Sequence, residues 1–380
     1  WLDRGMRLAL TVFPNLWQRR ATDRAVKFVT ERLDGEEGLG GIFPAMANAV
    51  MMFDTLGYEK DHPHFVQARN AVKNLVVIDG DRAYCQPCVS PVWDTALALH
   101  ALLETNHEED AAAVKRATKW LRDHQILDIK GDWHDQRPGL RPGAWAFQYR
   151  NEYYPDTDDS SVVAMALDRA DSDENRESVD RGVEWIIGMQ CRNGGWGSFD
   201  ADNTLYYLNH IPFADHGALL DPPTEDVSAR CISLLAQRGH SADHPAMATG
   251  IDYLKRTQMD DGSWYGRWGT NYIYGTWSVL CALNAVGEDP QAPYIRRAVE
   301  WLKSRQLEDG GWGEDCASYW PGREREVKGS PASQTAWAML GLMAAPVPAI
   351  AQVQADAPEA GNPLGLPESV TLLGESNPNV

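Results

Sequence analysis

The stretch Tyr153-Tyr154-Pro155-Asp156-Thr157-Asp158-Asp159-Ser160-Ser161 decides how the chain is read. Three carboxylates fall within four residues, after a proline and before the apolar run Val162-Val163-Ala164-Met165-Ala166-Leu167. Proline is unsuited to a helix interior, and Asp and Ser favour a first turn, so the acids are expected at the mouth of a helix. Capping and the helix dipole explain one or two acids there. A third gains little more from either. Carboxylates this close cannot all ionise freely, so at least one is expected to keep its proton at neutral pH, which is what a general acid needs.

The 380 residues allow about two domains, and a hydrophobic share of 43% supports a sizeable core. Lys and Arg number 35 against 54 Asp and Glu, a net charge of −19, which argues against nucleic acid as a partner. A membrane surface stays open, because a local basic patch acts alone. Residues 1–20 form such a patch: Arg4, Arg7, Arg19 and Arg20 stand among Trp1, Leu2, Phe13 and Trp17, with Asp3 the only acid. The segment reads either as a helix lying in a membrane interface or as one packed on the next domain. No apolar run reaches the ~20 residues of a membrane span. Six cysteines are scattered and no secretory signal is seen, so reduced thiols in a cytoplasmic setting are expected. Cys85-Gln86-Pro87-Cys88 lacks the second pair that a zinc ribbon needs.

Outward from the acids, a pattern recurs: a small residue, an aromatic, an aliphatic, then Gln, Gly and Trp in a loop. Trp120-Leu121 leads to Gln125, Gly131 and Trp133; Trp185-Ile186 to Gln190, Gly194 and Trp196. Tyr253-Leu254 leads to Gln258, Gly262 and Trp264; Trp301-Leu302 to Gln306, Gly310 and Trp312. A fifth copy begins at Ala25 but has Leu33 and Leu39 in place of Gln and Trp. Each copy predicts an amphipathic helix, a Gly-containing loop and a more apolar second helix. The second helices are expected to start near Trp93, Asp159, Glu225, Tyr274 and Ser333. Repeated pairs of this kind build an all-α solenoid or closed α/α toroid. In a closed toroid the inner helices share a direction, so Asp94, Asp156 to Asp159, Glu225, Asp226 and Tyr274 are expected to converge at one end. From Pro346 to Val380 there is no Lys, Arg or aromatic residue but six prolines, a disordered composition.

These motifs resemble squalene–hopene cyclases, the bacterial class II triterpene cyclases. The Gln–Gly–Trp loops look like that family's repeats, and Asp156-Thr157-Asp158-Asp159 is similar to its acid motif. Ser90-Pro91-Val92-Trp93-Asp94-Thr95, Asn209-His210-Ile211-Pro212-Phe213, Asp221-Pro222-Pro223 and Gly266-Arg267-Trp268-Gly269 extend the resemblance, which runs from about Trp1 to Ala345. It implies that residues 1–92 are a membrane-facing helix and the end of a first α-barrel, 93–345 the catalytic barrel, and 346–380 a disordered tail. The family's N-terminal half is absent, and the Pro-rich tail stands where a further repeat is expected. A truncated or frame-shifted reading, with part of the cavity wall missing, is the expectation that follows.

The resemblance further implies cyclisation of squalene to hopene or hopanol, started by Asp158 as proton donor, with Asp156 and Asp159 orienting and sharing the charge. Tyr274 would return a proton to the acid. Arg230 stands where the family often has His; it would stabilise the conjugate base but cannot relay a proton. An Asp226–Arg230 ion pair one helical turn apart is the competing explanation. Trp93, Asp94, Phe147, Phe199, Phe213 and Trp268 would line the substrate, the aromatic faces attracting carbocations by roughly 0.5–2 kcal/mol each. Phe199 stands where a tyrosine is frequent. No cofactor or metal is implied; the partners are squalene and the cytoplasmic face of the bacterial inner membrane, held peripherally, with a homodimer allowed. The rival readings are a carbohydrate-active α/α toroid, whose inner helices should be more polar than Val162-Val163-Ala164, a noncatalytic helical scaffold, and a zinc-dependent prenyltransferase toroid, for which no ligand set is assembled.

Overall fold

The computed structural model describes residues 4–346, apart from 6, 10–14, 36, 106, 171, 211–218, 321–326 and 328. Phe213, part of the basic segment 1–20 and the tail from 347 onward therefore lie outside the described residues. Helices α1 (Asn15–Glu31), α2 (Phe43–Thr55) and α3 (Pro63–Asn74) come first. Two small antiparallel hairpins accompany them: β1 (Leu33–Asp34) with β2 (Gly38–Leu39), and β3 (Val76–Asp79) with β4 (Arg82–Cys85). Leu33 faces Leu39 and Val77 faces Tyr84.

From Pro91 onward two kinds of helix alternate. They are α4 (Pro91–Thr105), α5 (Ala111–Asp123), α6 (Thr157–Arg169), α7 (Arg176–Met189), α8 (Glu225–Gln237), α9 (Pro245–Thr257), α10 (Tyr272–Ala285), α11 (Pro293–Ser304) and α12 (Ala332–Ala344). The even members pack on one another in succession, α4 to α6 to α8 to α10 to α12, and the odd members lie outside them. This is the helix-pair layering of an α/α toroid, laid out as an arc. Its inner layer begins within a few residues of each expected start. One core runs from Val92 to Ala345, while two smaller ones gather Leu33, Phe53 and Phe65, and Met46, Ala71 and Leu75.

The Trp loops hold the layers together. In three repeats the indole Nε1 donates to the carbonyl ten residues back, at the end of the outer helix: Trp196 to Ile186, Trp264 to Leu254 and Trp312 to Leu302, each at 2.7 Å. The same Trp's backbone N–H donates to a hydroxyl near the start of the following inner helix: Ser228 at 2.9 Å, Thr276 at 3.0 Å and Thr335 at 3.0 Å. The repeat Gln closes the loop, Gln190 Nε2 donating to Gly194 O and, across to the next outer helix, to Ala246 O, both at 2.8 Å. Gly194 has φ +94°, and a Cβ there would come within 2.2 Å of Thr249 O, so no other residue fits.

The first repeat differs from its sequence reading. Trp145, not Trp133, occupies the loop position. Its Nε1 donates to Leu121 O at 2.6 Å and its backbone N–H to Ser160 Oγ at 2.9 Å, while Gln125 reaches Gly143 O at 2.7 Å. The Trp-to-carbonyl separation is 24 residues here against 10 elsewhere, so 14 extra residues intervene. Trp133 lies within that insertion and packs edge-on against Trp185, centroids 5.7 Å apart.

Removing one hydroxyl should expose the design. Ser228→Ala leaves the Trp196 N–H buried without an acceptor. Denaturant unfolding should then show a loss of about 1–3 kcal/mol; an unchanged midpoint would mean that the loop is held by packing alone.

Candidate active site

The acid motif opens α6 as expected. Asp156 is the N-cap, its Oδ1 accepting the backbone N–H groups of Asp158 at 2.7 Å and Asp159 at 3.4 Å. Asp156 N in turn donates to Trp145 O at 2.8 Å, so the cap is anchored to the Trp loop. α6 is buried without a break from Thr157 to Ala164, which takes the acids with it: Asp158 is 5% exposed and Asp159 2%.

Carboxylates in such a place are reluctant to ionise. Burial, then the neighbouring Asp158, holds Asp156 well above the usual carboxylate range. Burial and both neighbours do the same to Asp159. Asp158 is also pushed up by burial, but Arg230 pulls it back, to about 6. Arg230 Nε lies 3.7 Å from Asp158 Oδ1, and Arg230 Nη2 donates to the Tyr274 hydroxyl at 2.8 Å. The guanidinium stays charged: burial opposes the charge, and Asp158, Tyr274 and Asp226 together outweigh it. Burial also raises the Tyr274 hydroxyl, so it remains a proton carrier at ordinary pH.

Three aromatic rings surround this cation, Trp277 at 5.1 Å, Trp93 at 5.2 Å and Tyr274 at 5.6 Å from the guanidinium carbon. Trp337 stacks on Trp277 (5.8 Å, 16°) and meets Tyr274 edge-on at 4.9 Å. These residues come from the first two turns of α4, α8, α10 and α12, so the inner helices do point the same way and their N-terminal ends meet beside α6. Trp277 and Trp337 were not singled out from the sequence. An aromatic at the second turn of successive inner helices was the available signal.

The Asp226–Arg230 ion pair does not form. Asp226 Oδ2 instead accepts the backbone N–H groups of Arg267 at 2.9 Å and Trp268 at 3.0 Å. It thereby fixes the loop that carries Trp268, whose Nε1 donates to Ser198 Oγ at 2.5 Å. Phe199 meets Trp268 edge-on at 5.9 Å, and its N–H is held by Asp221 Oδ2 at 2.6 Å. Phe147 is half-buried on the loop between Trp145 and Asp156. Two acids do not join the cluster as expected. Asp94 is exposed and accepts from Ser90 Oγ at 2.8 Å, a local bond across the start of α4. Glu225 is buried toward Thr257 of the outer layer, its carboxyl pushed up to about 7 by burial. A hollow of about 660 Å³ also lies away from the acids, between Trp301, Arg305 and Glu314.

Paired inner and outer helices around a buried carboxylate cluster define the class, an α/α-toroid protein with an acidic centre. Residues 89–356 match the squalene–hopene cyclase C-terminal domain and residues 1–81 the N-terminal domain. The chain belongs to the squalene–hopene cyclase family. It is 56% identical over 357 residues to a squalene–hopene cyclase of Zymomonas mobilis, covering 90% of this chain and 54% of that protein. It is 53% identical over 354 residues to one from Bradyrhizobium diazoefficiens (90% and 53% covered) and 43% identical over 349 residues to one from Alicyclobacillus acidocaldarius (90% and 55%). The chain thus spans about half the length of the curated relatives it matches.

The raised carboxyls carry a stability consequence. Glu225 titrates near 4.5 when unfolded and about 7 when folded, so its protonated form favours the fold. That contribution is complete below the unfolded value and is lost as pH rises through the folded one. Glu225→Gln cannot lose it. The variant's stability relative to the parent should therefore climb between pH 4.5 and about 7 and then level off, measured by unfolding at fixed pH values. A pH-independent difference would contradict the assignment.

Proposed function

We propose that the chain supplies the acid end of a cyclase that converts squalene to hopene or hopanol. Asp158 donates its proton to a terminal alkene carbon, and the electron pair of that double bond forms the new C–H bond. The cation left on the adjacent carbon is attacked by the next double bond, ring by ring. Loss of a proton from the last cation gives hopene; capture of water gives hopanol. The observation that carries the reading is the buried Arg230 guanidinium 3.7 Å from one acid of a proton-retaining cluster. An alkene is a weak base and needs a strong acid. A cation beside Asp158 stabilises the conjugate base and makes it the most acidic of the three carboxyls. Asp156 and Asp159, which hold protons more tightly, orient that proton and share the charge left behind, and Tyr274, joined to Arg230, passes a proton from water back to Asp158.

The aromatic faces of Trp93, Phe199 and Trp268 are offered to the developing cations, with Phe147 and Phe213 assigned the same role from the motif. A Phe at 199 removes the hydroxyl that a tyrosine would place there. In this reading residues 1–92 close a first barrel and 93–345 form the catalytic one, a division supported by the separate cores. A peripheral place on the cytoplasmic face of the inner membrane and a homodimer belong to the same proposal. Among the described residues no helix is long and apolar enough to cross a membrane.

The test is squalene turnover in detergent, read by product mass spectrometry, on the complete natural protein that carries these residues. The parent should give pentacyclic product, and Asp158→Asn should lose about 10²–10⁴-fold of the rate. The rate should rise as pH falls through about 6, because protonated Asp158 is the active form. Arg230→Gln should move that rise to higher pH and lower its plateau, since the acid becomes weaker. Product from Asp158→Asn at the parent's rate would remove Asp158 as donor; no product from a folded parent would remove the cyclase reading.

A further inference from the structure

The segment from Trp145 to Asp156 is a closed loop, its ends joined by the Asp156 N to Trp145 O bond of 2.8 Å. It bears Phe147 and delivers the cap Asp156, so its shape decides where the acids stand. Part of that shape is imposed by a distant stretch of chain. Glu37, only 7% exposed, accepts the backbone N–H of Tyr149 at 2.9 Å and that of Arg150 at 2.6 Å. Beside it, Asn151 Nδ2 donates to Gly40 O at 3.2 Å and to Gln148 Oε1 at 3.1 Å, and Arg32 lies 4.9 Å over the Tyr153 ring. Gly41, at φ +64°, admits Gln148 so closely that a Cβ would fall 2.6 Å from its Cγ. All these partners come from the β1–β2 hairpin and the residues flanking it, whose Leu33 belongs to a core separate from that of the acids.

We propose that Glu37 is a positioning residue for the acid cluster. A buried carboxylate bonding two consecutive amides is a stronger and more directional clamp than a neutral side chain. It fixes the loop from outside, the loop fixes Asp156, and the Asp156 carboxylate fixes the Asp158 and Asp159 amides. The hairpin region thus acts on the chemistry through the loop. The activity arm of this inference rests on the cyclase reading; its structural arm does not.

Glu37→Gln and Glu37→Asp in the complete natural protein test it, with amide hydrogen exchange and steady-state squalene kinetics side by side. In Glu37→Gln the amides of Tyr149, Arg150, Asp158 and Asp159 should exchange faster, while amides of α10 keep the parent's rates. A small misplacement of a reacting group costs up to about 10²-fold, so kcat should fall about ten- to a hundred-fold with KM within about twofold. Glu37→Asp, which keeps the charge, should recover most of both readouts. Faster exchange confined to Tyr149 and Arg150, with kcat unchanged, would overturn the proposal by showing a clamp that stops at the loop. Faster exchange throughout α10 would overturn it as a general loss of stability. If the parent forms no product the cyclase reading fails, and exchange at Asp158 and Asp159 still decides whether Glu37 positions the acids.

Discussion

The bond from each loop tryptophan to two helices at once is the constraint on which the rest of the structure depends. One ring N–H fixes the end of an outer helix and one backbone N–H fixes the start of the next inner helix. Both donors are buried, and so are both acceptors, so breaking either bond leaves an expensive orphan. The tie sets the height of four of the inner helices, α6, α8, α10 and α12, relative to the outer layer. Because of it the starts of α6, α8, α10 and α12 are held in step, and side chains far apart in sequence meet around Arg230. An acid motif on a helix free to slide would not face a fixed cation.

The second consequence concerns protons. Burying three carboxylates together is costly when they are charged, and the molecule meets that cost unequally. Burial holds Asp156 and Asp159 well above the usual carboxylate range, while Asp158 lies beside the Arg230 guanidinium. In the proposed reading the inequality is the source of acidity: neighbouring carboxyls hold protons tightly, and the favoured one releases its own. Arginine suits this role because it stays charged when buried among rings, where a histidine would tend to lose its proton. The rings that hold Arg230 contribute on the same terms, their faces partly replacing the water that the guanidinium has lost.

Much of this was legible in the sequence, and the limits are physical. Helix starts were readable because capping is local: a proline, an Asp and a hydroxyl within five residues mark the mouth of α6. The repeat was readable because Trp, Gly and Gln recur. Trp133 was misassigned because an insertion in the first loop carries its own Gly and Trp, and spacing cannot say which Trp reaches the helix carbonyl. The hydroxyls at Ser160, Ser228, Thr276 and Thr335 follow their Trp at varying distances, so no fixed interval reveals them. Arg230 was weighed against a neighbour four residues away, whereas its partner comes from α6; local rules favour Asp226, but Asp226 is occupied by two backbone amides. Asp94 looked like a member of the cluster because it opens an inner helix, yet position at a helix mouth does not fix which way a side chain turns. Glu37 gave no signal at all, since its partners lie more than a hundred residues on.

The central claim is that one acid in this cluster is set apart from two that hold their protons. Carbon-13 NMR of aspartate-labelled protein, with Asp156→Asn, Asp158→Asn and Asp159→Asn used for assignment, reads the three carboxyls directly as pH is varied. The account predicts that Asp158 titrates at about 6 while Asp156 and Asp159 remain protonated above it. Three carboxyls titrating together in the ordinary range near 4 would contradict it, and would leave a capped helix with no stored proton.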